Sequence, residues 1–97
     1  MTCKEAINLL NKSIYYCAYD AMFDLADDAI QVEVQNRETF RWYEYGTIIA
    51  HLEDGYLGIS GPIMLFTEYM DYEDLNTSVT YCEYEVSGYK PVFSPKK

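Results

Sequence analysis

Positive charge is the scarcest commodity in this chain. Only seven of the 97 residues are Lys or Arg, against sixteen Asp and Glu, for a formal net charge of −9. The shortage is local as well as global. Between Asp20 and Glu85 fifteen carboxylates meet only Arg37 and Arg41, a local net of −13, and every lysine lies outside that span. Such a field repels nucleic acid and anionic membrane and attracts basic surfaces. Direct nucleic-acid binding is therefore not expected, and a basic protein partner is.

Other absences narrow the chemistry. His51 is the only histidine, and the three cysteines (Cys3, Cys17, Cys82) form no CxxC and no Cys/His pair. Neither a structural zinc site nor a disulfide scaffold is expected, and the thiols read as buried or idle. No GxSxG, HExxH, P-loop or GxGxxG spacing occurs; Gly55, Gly58 and Gly61 lie along a predicted strand instead of opening a helix. The cluster Asp71, Glu73, Asp74 fails as a calcium loop, because Leu75 and Asn76 stand where a ligand and a glycine are needed, and Cys82 where the closing Glu would be. No catalytic residue, metal or cofactor is expected. No apolar run approaches the roughly 20 residues of a membrane span, and MTCKEAINLL has no signal-peptide pattern, so a cytoplasmic location is expected.

What is present is enough apolar material, 49% of residues, for the core of one domain spanning 1–97. Thr2 and Glu5 have capping-box spacing, and Cys3, Ala6, Ile7, Leu10, Ile14, Cys17, Ala18, Ala21 and Leu25 recur at helical spacing. Helix is expected from Cys3 to Asn11. Residues 13–28 carry mixed signals, with a break near Asn11–Ser13 or a second helix capped by Asp20. From Ala29 the period becomes two: Ile30, Val32 and Val34 alternate with polar residues in a strand ending at Asn36-Arg37. Further strands are expected over Thr39–Tyr45 and Thr47–Leu52, parted by Gly46, then a type I′ hairpin at Asp54-Gly55 and a strand ended by Gly61-Pro62. Val79–Val86 alternates, Ser87-Gly88 turns it into YKPVF with Pro91 on an edge, and residues 94–97 form a frayed tail. The fold class is α+β: an N-terminal helical segment (1–28) packed on an antiparallel sheet of about four to six strands (29–93).

The functional signal is a mixture of tyrosine and carboxylate. Eleven tyrosines are more than one core needs. Trp42 is expected in the core, but Tyr69 and Tyr72 stand among Glu68, Asp71, Glu73 and Asp74 in FTEYMDYEDLN and are hard to bury with their neighbours. Asp20, Asp24, Asp27 and Asp28 make a second acidic row that, if helical, falls on one face. Aromatic rings supply contact area at low entropic cost, and carboxylates steer. These ten residues are the candidate partner-binding set, and the bland alternative is a solvated surface that keeps the protein soluble.

In size, charge and aromatic texture the whole chain resembles the small phage-encoded inhibitors of bacterial defence, the anti-CRISPR proteins and the DNA-mimic anti-restriction proteins. The resemblance rests on no residue motif. It implies stoichiometric, non-enzymatic inhibition in the host-cell cytoplasm, with carboxylates standing in for phosphates in the basic groove of a nucleic-acid-binding effector. Two other readings stay open: a small enzyme or ligand-binding domain built on Cys82 and His51, and an acidic adaptor or antitoxin-type protein.

Overall fold

The computed structural model describes residues 1–87 and 92–96. Two short helices, α1 (Cys3–Leu10) and α2 (Ala18–Asp24), precede five strands: β1 (Ile30–Thr39), β2 (Tyr43–Leu52), β3 (Gly55–Leu65), β4 (Thr80–Ser87) and β5 (Val92–Pro95). A 3-10 turn, Tyr72–Leu75, lies between β3 and β4. The strands form one antiparallel meander in the order β1-β2-β3-β4-β5. The fold is α+β, with the N-terminal helices packed on the sheet.

The α1 start follows the sequence signal. Thr2 Oγ1 accepts from Glu5 N–H at 3.2 Å, and Glu5 Oε1 accepts from Thr2 N–H at 3.1 Å, so two orphan donors of the first turn are satisfied. The second helix begins at Ala18 with Cys17 as its extended N-cap, so Asp20 is not the cap. Asp20 instead sits in the first turn, where the helix dipole favours a carboxylate.

Alternation along β2 and β3 divides two cores. Ile48, Ala50, Leu52, Leu57, Ile59 and Ile63 face the helices and pack against Cys3, Ala6, Leu10, Ala21 and Leu25. Ile49 points the other way, with Tyr84, Phe93 and Tyr56. That second face is concave. Gln35 Nε2 on β1 donates to Phe93 O on β5 at 3.2 Å, although a flat sheet would hold these edge strands four spacings, or about 19 Å, apart. The sheet therefore curls until its two edges meet around Tyr84 and Phe93.

Several expected boundaries shift, each for a physical reason. β1 does not end at Asn36: that residue takes a left-handed φ of 55° inside a bulge, a conformation asparagine tolerates, and the strand runs on to Thr39. The expected strand Thr39–Tyr45 is thus split by a reversal at residues 40–42, Thr39 closing β1 and Tyr43–Tyr45 opening β2, and Gly46 lies within β2. Gly61-Pro62 does not stop β3: pairing with β2 runs on through Pro62 to Leu65, while β4 pairs only as far as Ser60, and on that side the missing proline N–H has no ladder to break. The β2–β3 turn is centred on Glu53 and Asp54, with Gly55 pairing to Leu52 at φ 156°. Contacts from the N-terminus fix it there: Cys3 N–H donates to Asp54 Oδ1 at 2.8 Å, and the Met1 amine pairs with Glu53 at 3.0 Å. At the other end Ser94 and Pro95 belong to β5, and Lys96 N–H donates to Glu83 O at 2.7 Å, so residues 94–96 are not frayed. The expected reversal at Gly88 and the edge position of Pro91 lie outside the described residues.

Candidate partner-binding surface

The stretch after β3 leaves the sheet as an irregular loop and closes into the 3-10 turn. Tyr69 N–H donates to Thr67 Oγ1 at 3.2 Å, Asp71 N–H to Asp74 Oδ2 at 2.9 Å, and Asp74 N–H to Asp71 O at 3.0 Å. Asn76, at a left-handed φ of 54°, ends the turn. These local bonds hold Glu68, Asp71, Glu73 and Asp74 on the surface, and Tyr69 is 95% exposed. Tyr72 differs. It is half-buried, its hydroxyl set against the Cys17 thiol and the backbone of Leu65, with Asp20 nearby. Burial above all, and then Cys17, pushes its pKa up to about 12.

That contact joins the two acidic segments. On α2, Ala18, Ala21 and Met22 face the core, leaving Asp20 and Asp24 four residues apart on one exposed flank. Asp24 ends the helix, where the dipole disfavours it; the Tyr15 hydroxyl compensates by donating to Asp24 Oδ2. The same bond raises the Tyr15 pKa. Asp27 is exposed in the following turn. Asp28 is exposed as well, and its charge also acts on the Met1 amine, after the larger effect of Glu53. Tyr72, its hydroxyl against Cys17 at the N-cap of α2, brings the 68–74 segment to the start of that helix. Among the described residues the only ion pairs are Met1–Glu53 and Arg37–Glu44, so none of these eight carboxylates is neutralised by one.

Two exposed apolar features escaped the sequence reading. Trp42, expected in the core, is 44% exposed at the tip of the β1–β2 hairpin, its ring 4.7 Å beneath the Arg41 guanidinium. Phe40 stacks on Tyr43 with centroids 4.9 Å apart, and Phe66 N–H donates to Trp42 O at 2.8 Å, which sets Phe66 opposite Trp42. The correction has a topological cause: the core lies between helices and mid-strand residues, and a hairpin tip extends past it. The second feature is on the other flank of α2, where Tyr19, Met22, Phe23, Ala26, Ala29 and Gln31 line an apolar groove of about 380 Å³. The i, i+4 pair Tyr19/Phe23 was the available signal, hidden by the acidic row interleaved with it.

The residues of the enzyme reading do not converge. His51 lies opposite Tyr56 and stacks on it at 4.8 Å, whereas Cys82 lies opposite Gly58, two strand spacings (roughly 10 Å) from β2. Cys82 Sγ contacts its neighbour's carbonyl, Glu83 O, at 3.4 Å. A cavity of about 340 Å³ opens beside Cys3, Asp54, Tyr56, Glu83, Tyr84 and Lys96. The Cys3 thiol there is held in its protonated form: burial, then the hydrogen bond to Asp54, pushes its pKa up to about 11. Among the described residues no three His, Cys, Asp or Glu side chains are placed to hold a metal ion, and no helix is long and apolar enough to cross a membrane. Comparison with protein-family models, with curated proteins and with solved structures gives no match.

Proposed function

We propose that the chain is a non-enzymatic inhibitor that occupies the basic nucleic-acid-binding groove of a defence protein, such as a CRISPR effector or a restriction enzyme. The observation that carries this reading is that the 68–74 segment meets the start of the acidic helix α2 where Tyr72 reaches Cys17, with no ion pair among the carboxylates of either segment in the described residues. Glu68, Asp71, Glu73 and Asp74 on the 3-10 segment, with Asp20, Asp24 and Asp27 on the α2 side, present carboxylates where a nucleic acid would present phosphates. Their field steers the encounter, and the exposed Tyr69 ring supplies the anchor. A host-cell cytoplasmic site of action goes with such a partner.

The test is a binding titration against candidate effectors loaded with, or stripped of, their RNA or DNA. Competition with the nucleic acid is expected. The on-rate should fall steeply as the screening length shortens from about 10 Å at 0.1 M salt to about 3 Å at 1 M. Changing Glu68 and Glu73 to Gln, and Asp71 and Asp74 to Asn, should slow association, while Tyr69→Ala should mainly speed dissociation, by about 1–3 kcal/mol. Binding indifferent to salt, to the four neutralisations and to competing nucleic acid would refute the reading.

A further inference from the structure

Among the described residues nothing fills the groove between α2 and β1. Phe23 is 79% exposed at its rim, although a modest extension of the helical layer could have buried it. Exposed apolar concavities of this kind mark docking sites when their rims are polar. Here the rim has one sign. Asp20 and Asp24 project from the same two turns of α2 as Tyr19 and Phe23, rotated by about a quarter to a third of a turn, and Asp27 follows Ala26 directly. None of the three is in an ion pair among the described residues. An acidic second copy of this chain would meet this rim with repulsion, and nucleic acid would meet it with more.

We infer that the groove binds a basic amphipathic helix on the protein partner, one large apolar side chain entering between Phe23 and Ala29 while lysines or arginines meet Asp20, Asp24 and Asp27. Helix-in-groove docking requires apolar anchors at i, i+3 or i+4 flanked by complementary charge, and the two adjoining flanks of α2 supply one half each. The inference rests on the proposed reading, since it assigns the partner an apolar contact beside its basic groove. It adds that charge alone does not account for the affinity.

The probe is a helical peptide with leucines at i, i+3, i+4 and i+7 and lysines elsewhere, compared with a peptide of equal charge in which each leucine is serine. The leucine peptide should bind at least about tenfold more tightly and shift the methyl resonances of Met22, Ala26 and Ala29. Ala26→Trp, which fills the groove from a solvent-exposed position, should remove that advantage while leaving the serine peptide's binding unchanged; Phe23→Ser should lower it without a filled groove. Equal affinity for the two peptides would overturn the groove assignment and leave the acidic surface standing. Failure of both to bind at low salt would overturn the acidic-surface reading with it. Self-association that Ala26→Trp abolishes would give the groove to a second copy and overturn the assignment to a basic helix.

Discussion

Gly58 is the position at which the curled sheet is most sharply testable. It lies in the middle of β3, paired to Ile49 on one side and Cys82 on the other, so its backbone has no room to retreat. A Cβ added there would sit 2.5 Å from Cδ1 and 3.0 Å from Cζ of Tyr84, and closer still to Cε1. That ring is 8% exposed and belongs to the concave core with Ile49 and Phe93. Gly58→Ala therefore forces Tyr84 to move. Strained accommodation costs about 1–3 kcal/mol, and expulsion of the ring forfeits a further 1.5–3 kcal/mol or so of burial. Set against the roughly 0.5–1 kcal/mol that alanine normally brings to a strand, these leave a net loss of about 1.5–5.5 kcal/mol, and even 2 kcal/mol lowers the melting temperature of a domain this size by roughly 8–16 °C. Thermal and urea unfolding of Gly58→Ala, Tyr84→Ala and the double variant measure it. Tyr84→Ala removes the obstacle, so the double variant should be no less stable than Tyr84→Ala alone. A Gly58→Ala cost below about 0.5 kcal/mol, or strict additivity of the two changes, would refute the close approach and with it the packing of the concave face.

Gly55→Val should cost about 1–3 kcal/mol by urea titration, because φ 156° suits a β-branched residue badly even though open space surrounds the site; an unchanged midpoint would remove the strain argument. Stability should also fall at both ends of the pH scale. The Asp54 carboxyl is held below its ordinary 3.8 chiefly by the Cys3 N–H, and that of Glu5 below 4.5 by the Thr2 N–H, so their contributions are complete above those values and vanish as pH drops through the lower folded ones. Burial raises Cys3 to about 11 and Tyr72 and Tyr81 to about 12, so their contribution is complete below the ordinary 9.0 and 10.0 and is lost as pH climbs through the raised values. Asp54→Asn should flatten the acid limb of a denaturant-midpoint profile, and Tyr81→Phe the alkaline one.

The legible parts of the fold are those whose cause is local. Thr2 and Glu5 announce the α1 start because a capping box is complete within four residues. The switch to period two near Ala29 announces β1 because alternation needs only one buried face. What the sequence hid depends on partners far along the chain. Asp54-Gly55 reads as an I′ turn in isolation, yet Cys3 captures the Asp54 carboxylate across a separation of 51 residues and recentres the turn on Glu53 and Asp54. Gly61-Pro62 reads as a stop, yet a strand that loses its partner on one side accommodates a proline. Trp42 reads as core by composition, and only the hairpin's length past the helical layer exposes it.

The candidate surface divides along the same line. Charge counts identify which segments are acidic, since a carboxylate run with no base nearby leaves the surface few alternatives. They cannot say that residues 68–74 and the α2 row adjoin, because that depends on a half-buried tyrosine reaching a helix more than fifty residues earlier. Tyr72 is the residue whose role changed most: in the sequence it is one of two aromatic rings offered to a partner, and in the fold its hydroxyl sits against Cys17 and Leu65. In the proposed reading it would organise the surface, leaving Tyr69, the exposed ring of the pair, as the anchor. If binding follows charge density alone, loosening Tyr72 leaves it intact. If it follows the geometry of two adjoining rows, Tyr72→Ala weakens binding even though every carboxylate remains, and Tyr69→Ala weakens it without disturbing α2. The arrangement of the acids, more than their number, then carries the specificity.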